Sequence, residues 1–424
     1  MNSPKIITVT GTKGKTTVVS VVAEAIQLLD YSVMHVTTNG HYLNGVQKST
    51  LADSKLIWGL KTPTLLPGRY LCEFTNKQTQ GTKSNIGVLE ATFDCSRRGL
   101  GYYRHDVGVL LNVFNDHIDP NGVVKNRAEL AQAKSFVFSK VKEDGSIVFN
   151  ADDADVCGVL TEVSYSTVTM LPCGLTFTYF DVGKHLNMGG DAVTIQQGRV
   201  VLLKANETVE VLDLKDIDWT YGGSYEPSVW NIMHSFASLY AATKDTVSIP
   251  ELAAALRQTH MQQDNGRLVV MDAPNGVKII ADYAHEKQSL EALAQLGRTF
   301  VAKQGQLWGV VRLSHERPDE AIRSTAEDMS RLFDGLIVYD KIDGYWRHAE
   351  KTKIKRYEQV EGRTSQIVYD AARRHTANVE RIVREDYAIM RAAERAVEGD
   401  VVIVIVNDNA RRSVDHIKKA FGIH

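Results

Sequence analysis

Short apolar runs alternate with amphipathic segments along most of the chain. The run from Ile6 to Thr10 predicts a buried strand, and the residues after it repeat apolar positions at helical spacing. Those positions are Val19, Val22, Ala23, Ile26 and Leu29. Further strands are predicted at 86–90 and 107–113, followed by a helix over 127–141. Strands that alternate with helices indicate parallel strands joined by helical crossovers.

The pattern changes between 161 and 216, where short polar-alternating segments predict antiparallel strands at one end of the first domain. Two helical stretches follow, and then the polar link QQDNGR at 262–267. Beyond the link, apolar runs again alternate with helices. The strands are predicted at 277–281, 307–311, 336–339 and 401–406, and the helices at 288–296, 319–332 and 386–397. We therefore predict two α/β domains, 1–263 with a parallel sheet and an antiparallel flank, and a smaller, doubly wound 264–424.

Composition narrows the class of protein. A length of 424 residues suits two or three domains, and 49 basic against 51 acidic side chains give a net charge of −2. That balance gives no excess of positive charge for sequence-independent binding to nucleic acid or to an anionic membrane. The four cysteines form no C-x-x-C pair, and no apolar run approaches the ~20 residues that span a bilayer. We expect a cytoplasmic protein with no nucleic-acid partner, no signal peptide and no membrane span.

The strongest chemical signal is the segment TGTKGKTT between the first strand and the first helix. Small residues there let backbone N–H groups close around phosphates, and the helix N-terminus adds its positive end. Lys15 would reach the β and γ phosphates, and Thr16 would hold Mg²⁺. The general P-loop has glycine where Val9 stands, so this is a shorter form; the alternative is a simple turn that caps a helix. The predicted phosphate-binding residues are Gly11, Thr12, Lys13, Gly14, Lys15, Thr16 and Thr17.

Two further residues follow predicted strands and could bind metal. Glu90 ends a buried strand, where its carboxylate would share a metal ion with Thr16; the alternative is an ordinary strand-end acid at the surface. His117 lies in NDHID just past the next strand, and its imidazole could bind a second Mg²⁺; the alternative is a structural histidine. The neighbouring Asp116 and Asp119 could simply cap the turn.

Taken in order, these segments resemble the Mur ligase superfamily. Its members are ATP-dependent amide ligases and include the peptidoglycan amino-acid ligases, folylpolyglutamate synthetase and the ligase half of cyanophycin synthetase. The supporting segments, in the family order, are GTKGKTT at 11–17, LEAT at 89–92, LLNVFNDHID at 110–119, AELAQAKS at 128–135, FNADD at 149–153, GR at 266–267 and DYAHEKQSL at 282–290. The resemblance implies a P-loop ATPase domain followed by a smaller Rossmann-like domain, with ATP and two Mg²⁺ ions as cofactors.

The resemblance also implies roles for residues outside the phosphate loop. Lys134 corresponds to a lysine that is carbamylated in several Mur ligases, where the resulting carboxylate ligates the second metal. The alternative is an unmodified helix lysine that reaches solvent. Asn231 corresponds to an asparagine near the adenine, although His234 replaces the second asparagine usual there. Arg267 would reach the phosphates, and Asp282 would meet the ribose.

The implied reaction joins a carboxylic acid to an amino acid or amine through an acyl phosphate and releases ADP. Lys15, Glu90, His117 and Lys134 would be its catalytic residues. The acid would be peptide-like or polymer-like, as in cell-wall, cyanophycin or polyglutamate synthesis. The alternatives are a P-loop kinase or NTPase switch and a partner-dependent Mur-like subunit. The sequence leaves the oligomeric state open.

Two departures from the family pattern bear on the substrates. Only five residues precede the first strand, so we expect the amino-terminal uridine-nucleotide domain of the peptidoglycan ligases to be absent. The basic segment 39–85, which includes Lys61 and Arg69, would then contact the acid substrate or form a mobile lid over it; the alternative is an ordinary solvated surface loop. In addition, LSHERPD at 313–319 stands where cyanophycin synthetases carry an arginine-rich segment, so the amino-acid pocket would differ.

Overall fold

The computed structural model divides into two compact units, Met1–Met261 and Gln262–His424. The structure describes residues 4–50, 85–114, 124–162, 167–261, 267–284, 286–314, 318–341, 362–407 and 409–423, with the backbone alone described at 97, 98, 161 and 162.

The first unit is built on an 11-stranded mixed sheet in the order β11-β10-β9-β8-β7-β6-β1-β5-β2-β3-β4. Its strands are β1 Lys5–Thr10, β2 Val33–Thr37, β3 Gly40–Leu43, β4 Val46–Ser49, β5 Ile86–Glu90, β6 His105–Leu110, β7 Val141–Asn150, β8 Thr169–Cys173, β9 Ala192–Gln196, β10 Arg199–Lys204 and β11 Glu207–Asp213. The strands from β8 to β2 pair in parallel, while β9 to β11 and β2 to β4 form antiparallel edges.

Helices cover this sheet, and two of them form much of its core. The helices of the first unit are α1 Lys15–Leu28, α2 Phe93–Arg98, α3 Arg127–Lys134, α4 Phe136–Ser139, α5 Ala154–Gly158, α6 Val182–Asn187, α7 Glu226–Thr243 and α8 Ile249–Arg257. The apolar stripe of α1 is buried, as its spacing predicts, and α7 is buried along most of its length. Together they pack on the sheet through aliphatic side chains, so α1 is held rigidly behind β1.

The region after 126 differs from the predicted helix over 127–141. Two short helices, α3 and α4, meet at Ser135, whose hydroxyl donates to the Gln132 carbonyl at 2.8 Å. Val141 then begins β7, because that segment pairs in parallel with β6 and β8 in the sheet centre. The antiparallel prediction for 161–216 is correct for β9 to β11 but wrong for β8, which runs parallel to β7.

The second unit contains a six-stranded sheet in the order β12-β13-β17-β14-β15-β16. Its strands are β12 Val269–Asp272, β13 Lys278–Asp282, β14 Leu307–Val311, β15 Gly335–Val338, β16 Val379–Arg381 and β17 Val401–Ile405. All pairs are parallel except β12 with β13. Since β17 enters between β13 and β14, the strand order reverses at this point, as in doubly wound folds.

Within the described residues of the second unit, five helices flank the sheet. They are α9 Lys287–Phe300, α10 Asp319–Ser330, α11 Arg363–Ala372, α12 Glu385–Arg395 and α13 Ala410–Phe421. The α/β class predicted from the sequence, with a parallel sheet, an antiparallel flank and a second smaller sheet, is confirmed. Among the helices in the described ranges, none is both long and apolar enough to cross a bilayer.

Candidate active site

The glycine-rich loop lies at the carboxyl end of β1 and leads directly into α1. Gly14 adopts a left-handed conformation (φ 85°) immediately before the helix, and a Cβ atom there would lie 2.4 Å from the Asn231 Oδ1 atom. A side chain at this position would therefore be both strained and obstructed. The first turn of α1 contains no acidic residue, so its N-terminus is suited to an anion.

Lys15 and Thr16 open α1 and point to different parts of the loop. The Lys15 Nζ atom donates to the Thr12 carbonyl at 3.0 Å, which keeps its positive charge at the loop. The Thr16 hydroxyl is buried and donates to the Glu90 Oε2 atom at 2.9 Å. The second contact brings together two residues that lie 74 positions apart in the sequence.

The Glu90 carboxylate is enclosed at the end of β5. It is only 1% exposed, because β5 pairs in parallel with β1 and places Glu90 beside Val9. Its Oε2 atom also accepts from the Thr38 backbone N–H at 3.1 Å, and the Thr38 and Thr16 hydroxyl oxygens are 3.4 Å apart. The alternative of a surface acid is therefore wrong for the geometry of Glu90.

Lys134 is also buried, at 3% exposure, although it lies on the short surface helix α3. Its Nζ atom donates to the Gly11 carbonyl at 3.0 Å. The side chain therefore runs inward to the start of the phosphate loop and does not reach solvent.

These residues fit a hard divalent cation. Thr16 and Glu90 present oxygen atoms 2.9 Å apart at the N-terminus of α1, and Mg²⁺ prefers oxygen ligands supplied by one or two side chains together with phosphate oxygens. Within the described residues, no cluster of three or more histidine, cysteine, aspartate or glutamate side chains forms a complete metal cage. The arrangement therefore suits an ion completed by the phosphates of a nucleotide.

The helix α7 reaches the loop through Asn231. Its amide oxygen occupies the space beside Gly14, which places a hydrogen-bonding side chain next to the phosphate loop. His234, one turn further on, is buried, and its Nδ1 atom donates to the Trp230 carbonyl at 2.8 Å. Burial lowers the pKa of His234 to about 4, so this imidazole is neutral at pH 7.

In the second unit, Asp282 supports the backbone next to Arg267. The Asp282 Oδ2 atom accepts from the Leu268 N–H at 2.7 Å, and Arg267 itself is exposed. Leu268 is buried with a positive φ of 49°, a conformation that is unusual for a leucine. The two predicted nucleotide contacts of this unit therefore lie close together at the beginning and the carboxyl end of one β-hairpin.

The carboxyl edge of the second sheet also contains a buried polar network, which the sequence did not predict. Arg312 donates to the Val406 carbonyl, with Nη2 at 2.6 Å, and its guanidinium lies over the Tyr283 ring, 4.7 Å from the centroid. The Tyr339 hydroxyl donates to the Ile405 carbonyl, and its oxygen lies 3.3 Å from the Glu385 Oε1 atom.

Glu385 joins this network to two further elements. Its Oε1 atom accepts from the Ser413 hydroxyl at 2.6 Å and from the Asn407 N–H at 3.2 Å. Burial, followed by the Glu385 charge, raises the pKa of Tyr339 well above its ordinary value. The network therefore connects β14, β15, β17, α12 and α13 through side chains that are shielded from water.

Several predicted residues lie outside the described part of the chain. They include His117 with its neighbouring aspartates, and most of the basic segment, including Lys61 and Arg69. Conversely, the sequence did not single out two residues that contact the loop or its carboxylate, Thr38 and Asn112. Thr38 directly follows the buried strand β2, and Asn112 lies two residues after the buried strand β6. This position after a buried strand is the signal that could have identified them.

Comparison with known protein families identifies both units. Residues 9–176 match the Mur ligase middle domain, and residues 266–405 match the Mur ligase glutamate ligase domain. The two matches occur in family order and contain the phosphate loop and the second sheet. The chain therefore belongs to the Mur ligase superfamily.

Curated relatives include two kinds of ligase. The chain is 30% identical over 343 residues to cyanophycin synthetase of Trichormus variabilis, a match covering 80% of this chain and 35% of that protein. It is 28% identical over 416 residues to cyanophycin synthetase of a Nostoc species, covering 97% and 42% respectively. A UDP-N-acetylmuramoyl-L-alanyl-D-glutamate–2,6-diaminopimelate ligase of Vibrio vulnificus is 24% identical, covering 79% and 61%. The chain thus spans less than half the length of these cyanophycin synthetases.

Solved structures share the fold over nearly the whole chain. A bifunctional folylpolyglutamate synthase/dihydrofolate synthase with Mn, AMPPNP and L-glutamate bound superposes with a TM-score of 0.66 at 16% identity, covering 99% of this chain and 90% of that one. The MurF ligase of Thermotoga maritima in complex with ADP gives a TM-score of 0.60 at 17% identity, covering 99% and 81%. At these identities the likeness establishes the fold alone.

Proposed function

We propose that the chain is an ATP-dependent, ADP-forming ligase that joins a carboxylic acid to an amino acid or amine. The observation that carries this proposal is the buried contact between Thr16 and Glu90 at the start of α1, 2.9 Å long and next to a glycine-rich loop. Domain matches to Mur ligases support it, as do neighbours whose structures contain ADP or AMPPNP.

The nucleotide would bind with its phosphates at the N-terminus of α1. The loop and the helix end supply backbone N–H groups, and Lys15 supplies a positive charge that is already held at the loop. Asn231 would contact the nucleotide from α7. Arg267 and Asp282 enter this proposal as nucleotide contacts through the family motif alone. We assign Mg²⁺ to Thr16 and Glu90, where bound metal would neutralise phosphate charge.

The reaction would then proceed in two balanced steps. A carboxylate oxygen of the acid attacks the γ-phosphorus of ATP, and the bond to the β–γ bridging oxygen breaks, releasing ADP and leaving an acyl phosphate. The amine nitrogen attacks the acyl carbon, the bond to the phosphate oxygen breaks, and the nitrogen loses a proton. Lys15 would stabilise negative charge on the phosphoryl group during transfer.

Lys134 and His117 would complete the site around a second Mg²⁺ ion. The inward course of Lys134, with Nζ 3.0 Å from the Gly11 carbonyl oxygen, supports a role at the loop. Carbamylation would convert this amine into a carboxylate, the ligand type that Mg²⁺ prefers. His117 enters this proposal through the family motif alone.

The substrates proposed are a peptide-like or polymer-like acid and an amino acid, because the relatives include cyanophycin synthetases and a peptidoglycan precursor ligase. An ATP-dependent screen of amino acids against peptide, polymer and nucleotide-sugar acids tests this, with the amide detected by mass spectrometry. The expected result is amide formation that requires ATP, acid and amine together. ATP hydrolysis or phosphorylation of a single substrate with no amide would instead support a kinase or NTPase.

A further inference from the structure

Asn112, two residues after the end of β6, binds the phosphate loop through several hydrogen bonds. Its side-chain Oδ1 atom accepts from the backbone N–H groups of Thr12 at 3.0 Å and Lys13 at 2.9 Å. Its Nδ2 atom donates to the Lys13 carbonyl at 3.2 Å. One amide side chain therefore satisfies two donors and one acceptor of the loop, a combination that requires both halves of the amide.

The main chain around Asn112 reinforces this contact. The Asn112 carbonyl also accepts from the Thr12 N–H at 3.0 Å, and the Thr12 hydroxyl accepts from the Phe114 N–H at 3.0 Å. The loop and the segment after β6 thus each donate hydrogen bonds to the other. We call this set of contacts, formed by Thr12, Lys13, Asn112 and Phe114, the loop clasp.

The loop clasp engages two of the backbone amides of the loop. The N–H groups of Thr12 and Lys13 are directed to Asn112, whereas α1 begins its own hydrogen-bond ladder with Val18 N–H to the Gly14 carbonyl. The amides between the clasp and Val18 belong to the helix N-terminus, where P-loops bind phosphate.

We infer that Asn112 is a positioning residue that holds the phosphate loop in its nucleotide-binding shape before the nucleotide arrives. This inference rests on the proposed function, since it concerns the same nucleotide site. A loop fixed in advance loses less conformational entropy on binding, so the clasp should strengthen nucleotide affinity. Asn112 does so through backbone groups of Thr12 and Lys13 and is not assigned a contact with the phosphates.

The test measures Mg-ADP binding to the whole chain by isothermal titration calorimetry. Asn112→Ala removes three side-chain hydrogen bonds but keeps the main-chain bond to Thr12, and we expect the Kd for Mg-ADP to rise at least about tenfold. The matched control is Asn150→Ala at the end of β7. Asn150 accepts from the Asp152 N–H at 2.9 Å but belongs to no contact of the clasp, so its variant should bind Mg-ADP like the wild type.

Asn112→Asp provides a second, isosteric variant if the alanine variant fails to fold. The aspartate keeps acceptors for Thr12 and Lys13, loses donation to the Lys13 carbonyl and adds negative charge beside the loop. We expect its loss of affinity to be greater for ATP than for ADP, because ATP carries the larger phosphate charge. A purely structural defect would not distinguish the two nucleotides.

The outcomes separate this inference from the proposed function. A wild-type chain that binds no Mg-ADP would overturn the proposed function itself. If the wild type binds Mg-ADP, the inference is overturned by an Asn112→Ala variant with unchanged affinity or with the same loss as Asn150→Ala. For Asn112→Asp, unchanged affinity or equal losses for ATP and ADP would overturn it.

Discussion

The carboxyl ends of the parallel strands are organised in opposite ways in the two sheets. In the first unit, the phosphate loop leads into the N-terminus of α1. The side chains of Lys15 and Lys134 contact carbonyl groups of this loop, and Glu90 accepts a hydrogen bond from Thr16 beside it. In the second unit, Arg312 and Glu385 fill the sheet edge with hydrogen bonds to neighbouring strands and helices. The first edge is arranged for an external anion, whereas the second is stabilised internally. Substitutions should therefore affect activity at the first edge and stability at the second.

The largest effect is expected for Lys15→Ala. Removing the positive charge from the loop should lower ADP formation by about a thousandfold or more, because transition-state charge would lose its stabilisation. The measurement is the steady-state rate of ADP release, together with thermal unfolding to show that the variant is folded. Lys184→Ala on α6, far along the chain from the loop, is the control and should retain activity. Near-normal turnover of a folded Lys15→Ala protein would remove the loop from the mechanism.

Lys134→Ala sharpens the comparison by testing carbamylation. We expect activity to fall about a hundredfold, and short carboxylic acids added to the assay should restore part of it by replacing the missing carboxylate. Lys140→Ala, at the residue that directly follows α4, controls for the loss of a lysine in this part of the chain. A Lys134→Ala protein that remains fully active would exclude Lys134 from the site, and an inactive protein that acids do not rescue would argue for the unmodified amine.

Glu385→Ala tests the second edge. It removes the acceptor for the Ser413 hydroxyl and the Asn407 N–H, so the free energy of unfolding of the second unit should fall by about 2–3 kcal/mol. Urea denaturation measures this, and the exposed Glu394→Ala, whose partner is Arg391, is the control, with a loss below about 0.5 kcal/mol. Equal losses in both variants would mean that the buried network does not stabilise the unit.

The smallest predicted effect is a pH dependence within the first unit. Burial holds the pKa of His234 at about 4, so the unfolded chain takes up a proton below about pH 6.5 that the folded chain does not. The stability from this group is therefore present at pH 7 and falls as the pH drops towards 4. His234→Asn should reduce the loss of unfolding free energy between pH 7 and pH 5 by about 1–2 kcal/mol. An identical pH profile for the variant and the wild type would contradict the buried, neutral imidazole.

The same contrast explains what the sequence could and could not predict. The phosphate loop is a contiguous pattern between a strand and a helix, so its placement follows from local signals. Glu90 could be found because a carboxylate ending a buried strand is unusual, although its contact with Thr38 depends on sheet order. The Arg312 network joins residues from 312 to 413. Spacing patterns within a short stretch of sequence do not predict contacts over such separations. The start of β7 at Val141 could not be predicted from the helical spacing, because pairing in the sheet overrides helical periodicity.

The transfer of a carboxylate oxygen to phosphate tests the central claim most directly. The acid found by the substrate screen would be labelled with ¹⁸O in both carboxylate oxygens and incubated with ATP, Mg²⁺ and the amine. If the acyl phosphate forms, each phosphate released carries one ¹⁸O atom from the acid, ADP is the nucleotide product, and the amide keeps the remaining ¹⁸O. Unlabelled phosphate, or label found in AMP with release of pyrophosphate, would contradict the proposed ligase mechanism.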